Sequence, residues 1–200
     1  MSRGQIVRWA LEEAGAPYNE HIIQYGPEMK GEAFLAVNPM GKVPAVKHNG
    51  KVVTESSAIC AYIADAFPEA GLGPTDEERA DYLRWLFFAA GPLENAITSK
   101  SAGIEPTEEQ MRTFGFGNFD LTIGALKDWL AENDYICGER FTMADVYIGA
   151  NIDFGLQFGT VPKDPVFEAY AQRLQQREAY GKAKARDGAL IAEMQAAQEG

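Results

Sequence analysis

Glu55-Ser56 pairs a carboxylate with a hydroxyl just where a β-prone run, Lys51 to Thr54, gives way to the apolar helical spacing of Ala58, Ile59, Tyr62 and Ile63. Ser56 is therefore a candidate N-cap, with unpaired backbone N–H groups just beyond it. Such a helix start can hold a zwitterion. The N–H groups and the hydroxyl take a carboxylate, and the acidic neighbour takes an ammonium. The same residues also read as an ordinary helix cap beside a solvated glutamate. Upstream, Pro44 heads a strand to which it can give no N–H. A cis Val43-Pro44 bond would turn the backbone of Val43 outward, leaving its N–H and C=O for an extended ligand.

These residues are set by a loop, a hairpin and a helix. Asn38-Pro39 and Gly41 are turn residues that break the chain before Val43 to Lys47. Asn49-Gly50 between two β-prone runs predicts a type I′ hairpin, which needs positive φ at both positions. A helix from Ser56 to about Phe67 follows. Earlier, Ile6, Val7, Trp9, Ala10, Leu11 and Ala14 follow helical spacing up to Gly15, and Tyr18 to Tyr25 reads as a strand. Glu32 to Val37 reads as a short helix. Alternating helices and strands make this half an α/β layer.

Pro68, Gly71, Gly73 and Pro74 punctuate a boundary, and everything beyond it is helical by period. Ala80 to Ser99 reads as one helix bent at Gly91-Pro92. Thr107-Glu108-Glu109-Gln110 is a capping box that opens a long helix towards Asn133. Phe141 to Val146 predicts a second helix start, in which Thr142 and Asp145 cap each other and Phe141 and Val146 form a staple. Two more helices follow Pro165. The domains read as 1–67, a linker 68–78, and 79–200.

The 200 residues suit one large domain or two small ones. A hydrophobic content of 46% supplies cores, and 24% charged residues match a soluble globular chain. No apolar run approaches the ~20 residues of a membrane span, and no basic-then-apolar leader opens the chain. A net charge of −11 argues against nucleic acid or an anionic membrane as partner. Cys60 and Cys137 have no metal-ligand or redox spacing and read as buried small hydrophobes. His21 and His48, both on expected strands, carry no assigned role, and no metal site is expected.

The run NPMGKVPAV, followed after the hairpin by TES, resembles the glutathione-binding core of the cytosolic glutathione S-transferases. GERFTMADV is similar to the capping box and staple of their helical domain, so the resemblance covers nearly the whole chain. It implies a thioredoxin-like α/β N-terminal domain and an all-α helical-bundle C-terminal domain. It also implies a cis Val43-Pro44 bond, with the backbone of Val43 pairing with the cysteinyl part of glutathione. Glu55 and Ser56 would grip the γ-glutamyl end, so Lys42, Val43, Pro44, Glu55 and Ser56 are the implied glutathione-binding residues.

Transfer chemistry needs the thiolate, so the thiol pKa must fall from about 8.5. In the family the donor that lowers it is Ser, Tyr or Cys, and Ser2 stands where serine-type members carry it, with Arg3 adding positive charge. Ser2 equally reads as a cap of the first helix. Phe87, Phe88, Phe114 and Phe116 are candidate walls of an electrophile pocket, and core packing explains them equally well.

Two departures from the family stand out. Only Met1 to Gly4 precede the first helix, so the first strand is expected to be missing and the chain to be truncated at its N-terminus. Arg177-Glu178-Ala179 replaces the frequent Arg-Pro-Ala. The resemblance implies a cytoplasmic, homodimeric detoxification enzyme acting on glutathione and a small apolar electrophile. Three glutathione-using enzymes fit the same residues: an isomerase, a dehalogenase or an ether-cleaving lyase. So does a non-catalytic binding or interaction module.

Overall fold

The computed structural model describes residues 2–199. They form two compact units, one made of the residues up to Gly71 together with those from Arg177 onward, the other of Leu72–Gln176. The expected layering is present, with α/β structure first and helices after it.

In the first unit, α1 (Gly4–Glu13) buries Ile6, Val7, Trp9 and Ala10, the spacing read from the sequence. A 3-10 turn (Glu28–Lys30) and the one-turn α2 (Glu32–Leu35) lead to the hairpin. β1 (Ala45–His48) and β2 (Lys51–Thr54) pair antiparallel from Ala45↔Thr54 to His48↔Lys51. Between them Asn49 and Gly50 take φ of +48° and +74°, the two positive values that a type I′ turn requires. α3 (Ser56–Ala66) follows β2 after a single residue and buries Ile59, Cys60, Ile63 and Ala64. The last helix, α10 (Glu178–Glu199), packs along α1.

The strand expected at Tyr18 to Tyr25 does not form. Among the described residues the sheet has two strands, β1 and β2. A strand exists through its ladder, and this stretch has no ladder partner there, so β-propensity at Ile22 and Ile23 has nothing to act on. Side chains hold the segment instead: the Tyr18 hydroxyl donates to Glu12 Oε1 at 2.7 Å, and Glu20 takes bonds from Arg8 and Arg186. His21 consequently lies on irregular backbone, while His48 ends β1 and pairs Nδ1 with the Tyr62 hydroxyl at 2.9 Å.

In the second unit, α4 (Arg79–Phe88), a π-helical turn (Ala89–Leu93) and α5 (Glu94–Ser101) run in sequence. Pro92 lies inside the π turn, whose wider ring absorbs a residue with no N–H to give. At Gly91-Pro92, where a bend is expected, the helix changes to this wider form. The single helix expected from Thr107 to Asn133 is two. α6 (Glu108–Thr113) opens with the expected capping box, Thr107 N–H donating to Gln110 Oε1 at 2.9 Å, and stops at Phe114. Gly117 then turns at φ +62°, and Asn118 accepts from the Leu121 N–H at 2.8 Å to start α7 (Phe119–Glu132). A positive-φ glycine and a second cap overrode the apolar period.

α8 (Met143–Phe158) is the axis of this unit. Met143, Ala144, Val146, Ile148 and Ile152 are all buried on it. α4 and α9 (Pro165–Gln175) pack against it, contributing Trp85, Leu86, Phe167, Tyr170 and Leu174 to the core. Each fully buried side chain of this size contributes about 1.5–3 kcal/mol relative to exposure.

Candidate functional site

The loop before β1 is built by two side chains. Asn38, buried, accepts from the Met40 N–H at 3.1 Å through Oδ1 and donates through Nδ2 to the Lys42 carbonyl at 2.8 Å. Lys30 Nζ donates to the carbonyls of Met40 and Gly41 at 3.0 and 2.9 Å. Gly41 takes φ +56°, and a Cβ there would stand 2.9 Å from both Lys30 Nζ and the Met29 carbonyl. Only glycine fits such a position. The sequence marks Asn38 only as a turn residue and does not mark Lys30, whose partners lie ten and eleven residues away.

The loop delivers Lys42, Val43 and Pro44 to β1, and the Val43-Pro44 peptide bond is cis. Lys42 is exposed, whereas Val43 and Pro44 are half-buried. The N–H and C=O of Val43 have no hydrogen-bond partner among the described residues. The hairpin ladder begins at the Ala45↔Thr54 pair, so Val43-Pro44 lies just before it on one side and Glu55-Ser56 just after it on the other.

Glu55 joins β2 to α3 at φ +65° and ψ +117°, backbone that L-residues rarely adopt. Residues held in such conformations cluster at ligand sites. Glu55 is the N-cap residue and its side chain makes no cap bond; Ser56, expected as the cap, is the first helical residue. The first intrahelical donor is Ile59 N–H, to the Glu55 carbonyl at 2.8 Å. The N–H groups of Ser56, Ser57 and Ala58 therefore lie free of the helix ladder, at its positive end. Ser56 is buried at 7% exposure and its hydroxyl has no partner among the described residues, while the Glu55 carboxylate is exposed.

Ser2 stands just ahead of α1. Its Oγ accepts from the Gly4 N–H at 3.1 Å. A hydroxyl that accepts still has its own hydrogen to donate, and accepting strengthens that donation. In the second unit, Phe87 is 74% exposed, Phe88 packs edge-on against Trp85 at 4.9 Å, and Phe114 stacks on Phe116 at 5.6 Å. Among the described residues no ring contact joins Phe87 or Phe88 to Phe114.

Burial holds both cysteines in the thiol form. Cys60 is fully buried and burial raises its thiol pKa far above the usual value. Burial likewise pushes Cys137, half-buried beside Thr142, up to about 12. Among the described residues no group of His, Cys, Asp and Glu is placed to hold a metal ion, and no helix is long and apolar enough to cross a membrane.

Residues 1–66 match the family profile described as "Glutathione S-transferase, N-terminal domain". The chain is 49% identical to protein LigF of Sphingobium sp. over 68% of each chain. It is 30% identical to glutathione S-transferase D7 of Drosophila melanogaster, over 74% of this chain and 68% of that one. The chain belongs to the glutathione S-transferase family. Its fold also matches the solved structure of a sphingomonad glutathione S-transferase complexed with glutathione, with a TM-score of 0.73, 30% identity, and 94% and 95% of the two chains covered. The chain spans 29% of the length of elongation factor 1-gamma of Artemia salina and 59% of that of glutathione S-transferase GstA of Escherichia coli O157:H7, at 33% and 31% identity.

Proposed function

We propose that this chain binds glutathione along the hairpin and the start of α3, and transfers its thiolate to an apolar electrophile. The observation that carries the reading is the open end of α3. Free N–H groups, an unpartnered hydroxyl at Ser56 and the Glu55 carboxylate meet there, and the backbone of Val43, just before the hairpin, is unpaired as well. In this reading the helix end and Ser56 take the α-carboxylate of the γ-glutamyl group, and Glu55 takes its ammonium. Val43 pairs with the cysteinyl backbone as an added strand would. Lys42 and Pro44 complete the wall of the site, and Ser2 donates to the sulfur, favouring the thiolate over the thiol.

Phe87, Phe88 and Phe114 are the proposed walls for the electrophile, and glutathione is the co-substrate. The assembly proposed is a cytoplasmic homodimer, in line with the family. The domain limits proposed are 1–67 and 79–200, joined by 68–78. The second reading, a glutathione-dependent isomerase, draws on a relative named maleylacetoacetate isomerase in Pseudomonas aeruginosa, 28% identical over 76% of each chain.

Retention on immobilised glutathione and a panel of electrophiles with product analysis test the proposal together. Conjugates whose mass is the sum of the two reactants for addition, or that sum less the leaving group with its proton for displacement, support transfer. Isomerised product with glutathione returned supports the second reading. A chain that does not bind glutathione removes both.

A further inference from the structure

Ser2 stands just ahead of α1, and α10, with Arg177 just before it, holds α1 through charged side chains. Arg177 donates from Nε and Nη2 to the two oxygens of Glu13, each at 2.7 Å. One turn earlier, Trp9 meets the ring of Tyr180 edge-on at 5.2 Å. Arg8 donates from Nε to Asp187 Oδ1 at 2.7 Å and from Nη1 to Glu20, which Arg186 also binds at 2.9 and 2.7 Å. The side chains of Arg8 and Asp187 are 10% and 6% exposed, and Asp187 Oδ2 is buried with no partner among the described residues.

A buried ion pair with an unsatisfied oxygen is a poor source of net stability, because desolvation offsets the attraction; its best-attested use is to select one arrangement over its neighbours. The apolar contacts of α1 with α3 are non-directional and tolerate sliding. The ion pairs do not.

We propose that α10 is a clamp that fixes the axial position of α1, and that Arg8 and Asp187 are positioning residues acting through α1 on the Ser2 hydroxyl. The inference rests on the reading of Ser2 as donor to the glutathione sulfur. Arg8 lies about 9 Å along the helix from Ser2 at 1.5 Å per residue, and a donor displaced by about 1 Å can lose up to about a hundred-fold in rate. Glutathione's own contacts are assigned elsewhere, to Val43, Glu55 and Ser56, so displacement of α1 separates turnover from binding.

The test uses the full chain and Asp187→Ala. Amide exchange in α1 should rise while that in α3 does not. The kcat should fall about ten-fold, with KM for glutathione changing less than about two-fold. The ultraviolet absorbance of bound thiolate should titrate about one pH unit higher. In a Ser2→Ala background Asp187→Ala should add no further loss. Arg177→Met, at the more exposed end of the clamp, should raise α1 exchange in the same way and serves if Asp187→Ala does not fold. Unchanged α1 exchange overturns the clamp. Parallel losses in kcat and KM, or a full further loss in the Ser2→Ala background, overturn its action through Ser2. A chain that binds no glutathione defeats the functional reading, and α1 exchange then still decides whether the clamp exists.

Discussion

Two helix starts in this chain have been finished in opposite ways. At the start of α8, Asp145 is fully buried and accepts four hydrogen bonds: from the N–H groups of Ile136 and Thr142 at 2.7 and 2.8 Å, and from the hydroxyls of Tyr170 and Thr142 at 2.9 and 3.1 Å. At the start of α3 the acidic residue points to solvent, the serine hydroxyl is unpartnered and the backbone is strained. One end has its donors consumed by its own chain; the other has them left over. A satisfied helix end stabilises the fold and is closed to ligands. An unsatisfied one costs stability and is available for an anion.

The largest effect should come from emptying the closed end. Asp145→Ala leaves buried N–H and O–H donors of Ile136, Thr142 and Tyr170 without an acceptor, and stability should fall by about 4 kcal/mol. Denaturant titration measures it, and a loss below about 1 kcal/mol would break the contrast. At the open end, Ser56→Ala and Glu55→Gln should each weaken glutathione binding by about 1–3 kcal/mol, with thermal stability nearly unchanged. Calorimetry that finds affinity intact in both variants removes the site. Glu55→Gly relieves the positive φ and should stabilise the chain by about 1 kcal/mol while weakening binding; a destabilised glycine variant would show that the strain was misread.

The smallest effect is in pH. Burial pushes the Asp145 carboxyl up to about 6, against the opposing pull of its hydrogen bonds. Between about pH 4 and 6 the folded state then holds a proton that the unfolded state has released. The stabilising contribution of this group is complete below its unfolded pKa and is lost as pH rises through 6. Relative to Asp145→Asn, the native protein should therefore lose part of its advantage between pH 4.5 and 7. An advantage that grows over this range would mean that the hydrogen bonds, and not burial, set the pKa.

Where structure follows from a few neighbouring residues, the sequence was enough. Asn49-Gly50 specified the hairpin turn, Thr142 and Asp145 the start of α8, and Glu55-Ser56 the end of β2 and the beginning of α3. The misreadings all involve a distant or competing partner. Tyr18 to Tyr25 has strand propensity and no ladder neighbour. Gly117 and Asn118 broke a helix that the spacing of Phe114, Leu121 and Leu126 had joined. The site loop depends on Lys30, and the place of α10 on α1 on Arg177 and Asp187, far along the chain from their partners. No local pattern announces such pairs.

The two shielded thiols have a chemical meaning for a protein proposed to handle electrophiles. Alkylation requires thiolate, and a group with a pKa near 12, as at Cys137, presents about one thiolate in a hundred thousand at pH 7. Cys60 is more strongly suppressed still and has no exposed surface. Under the proposed function, such thiols would be poor targets for the electrophiles, leaving the glutathione sulfur as the nucleophile they meet. The fold would then protect the protein from alkylation by its own substrates through where it has put these two cysteines.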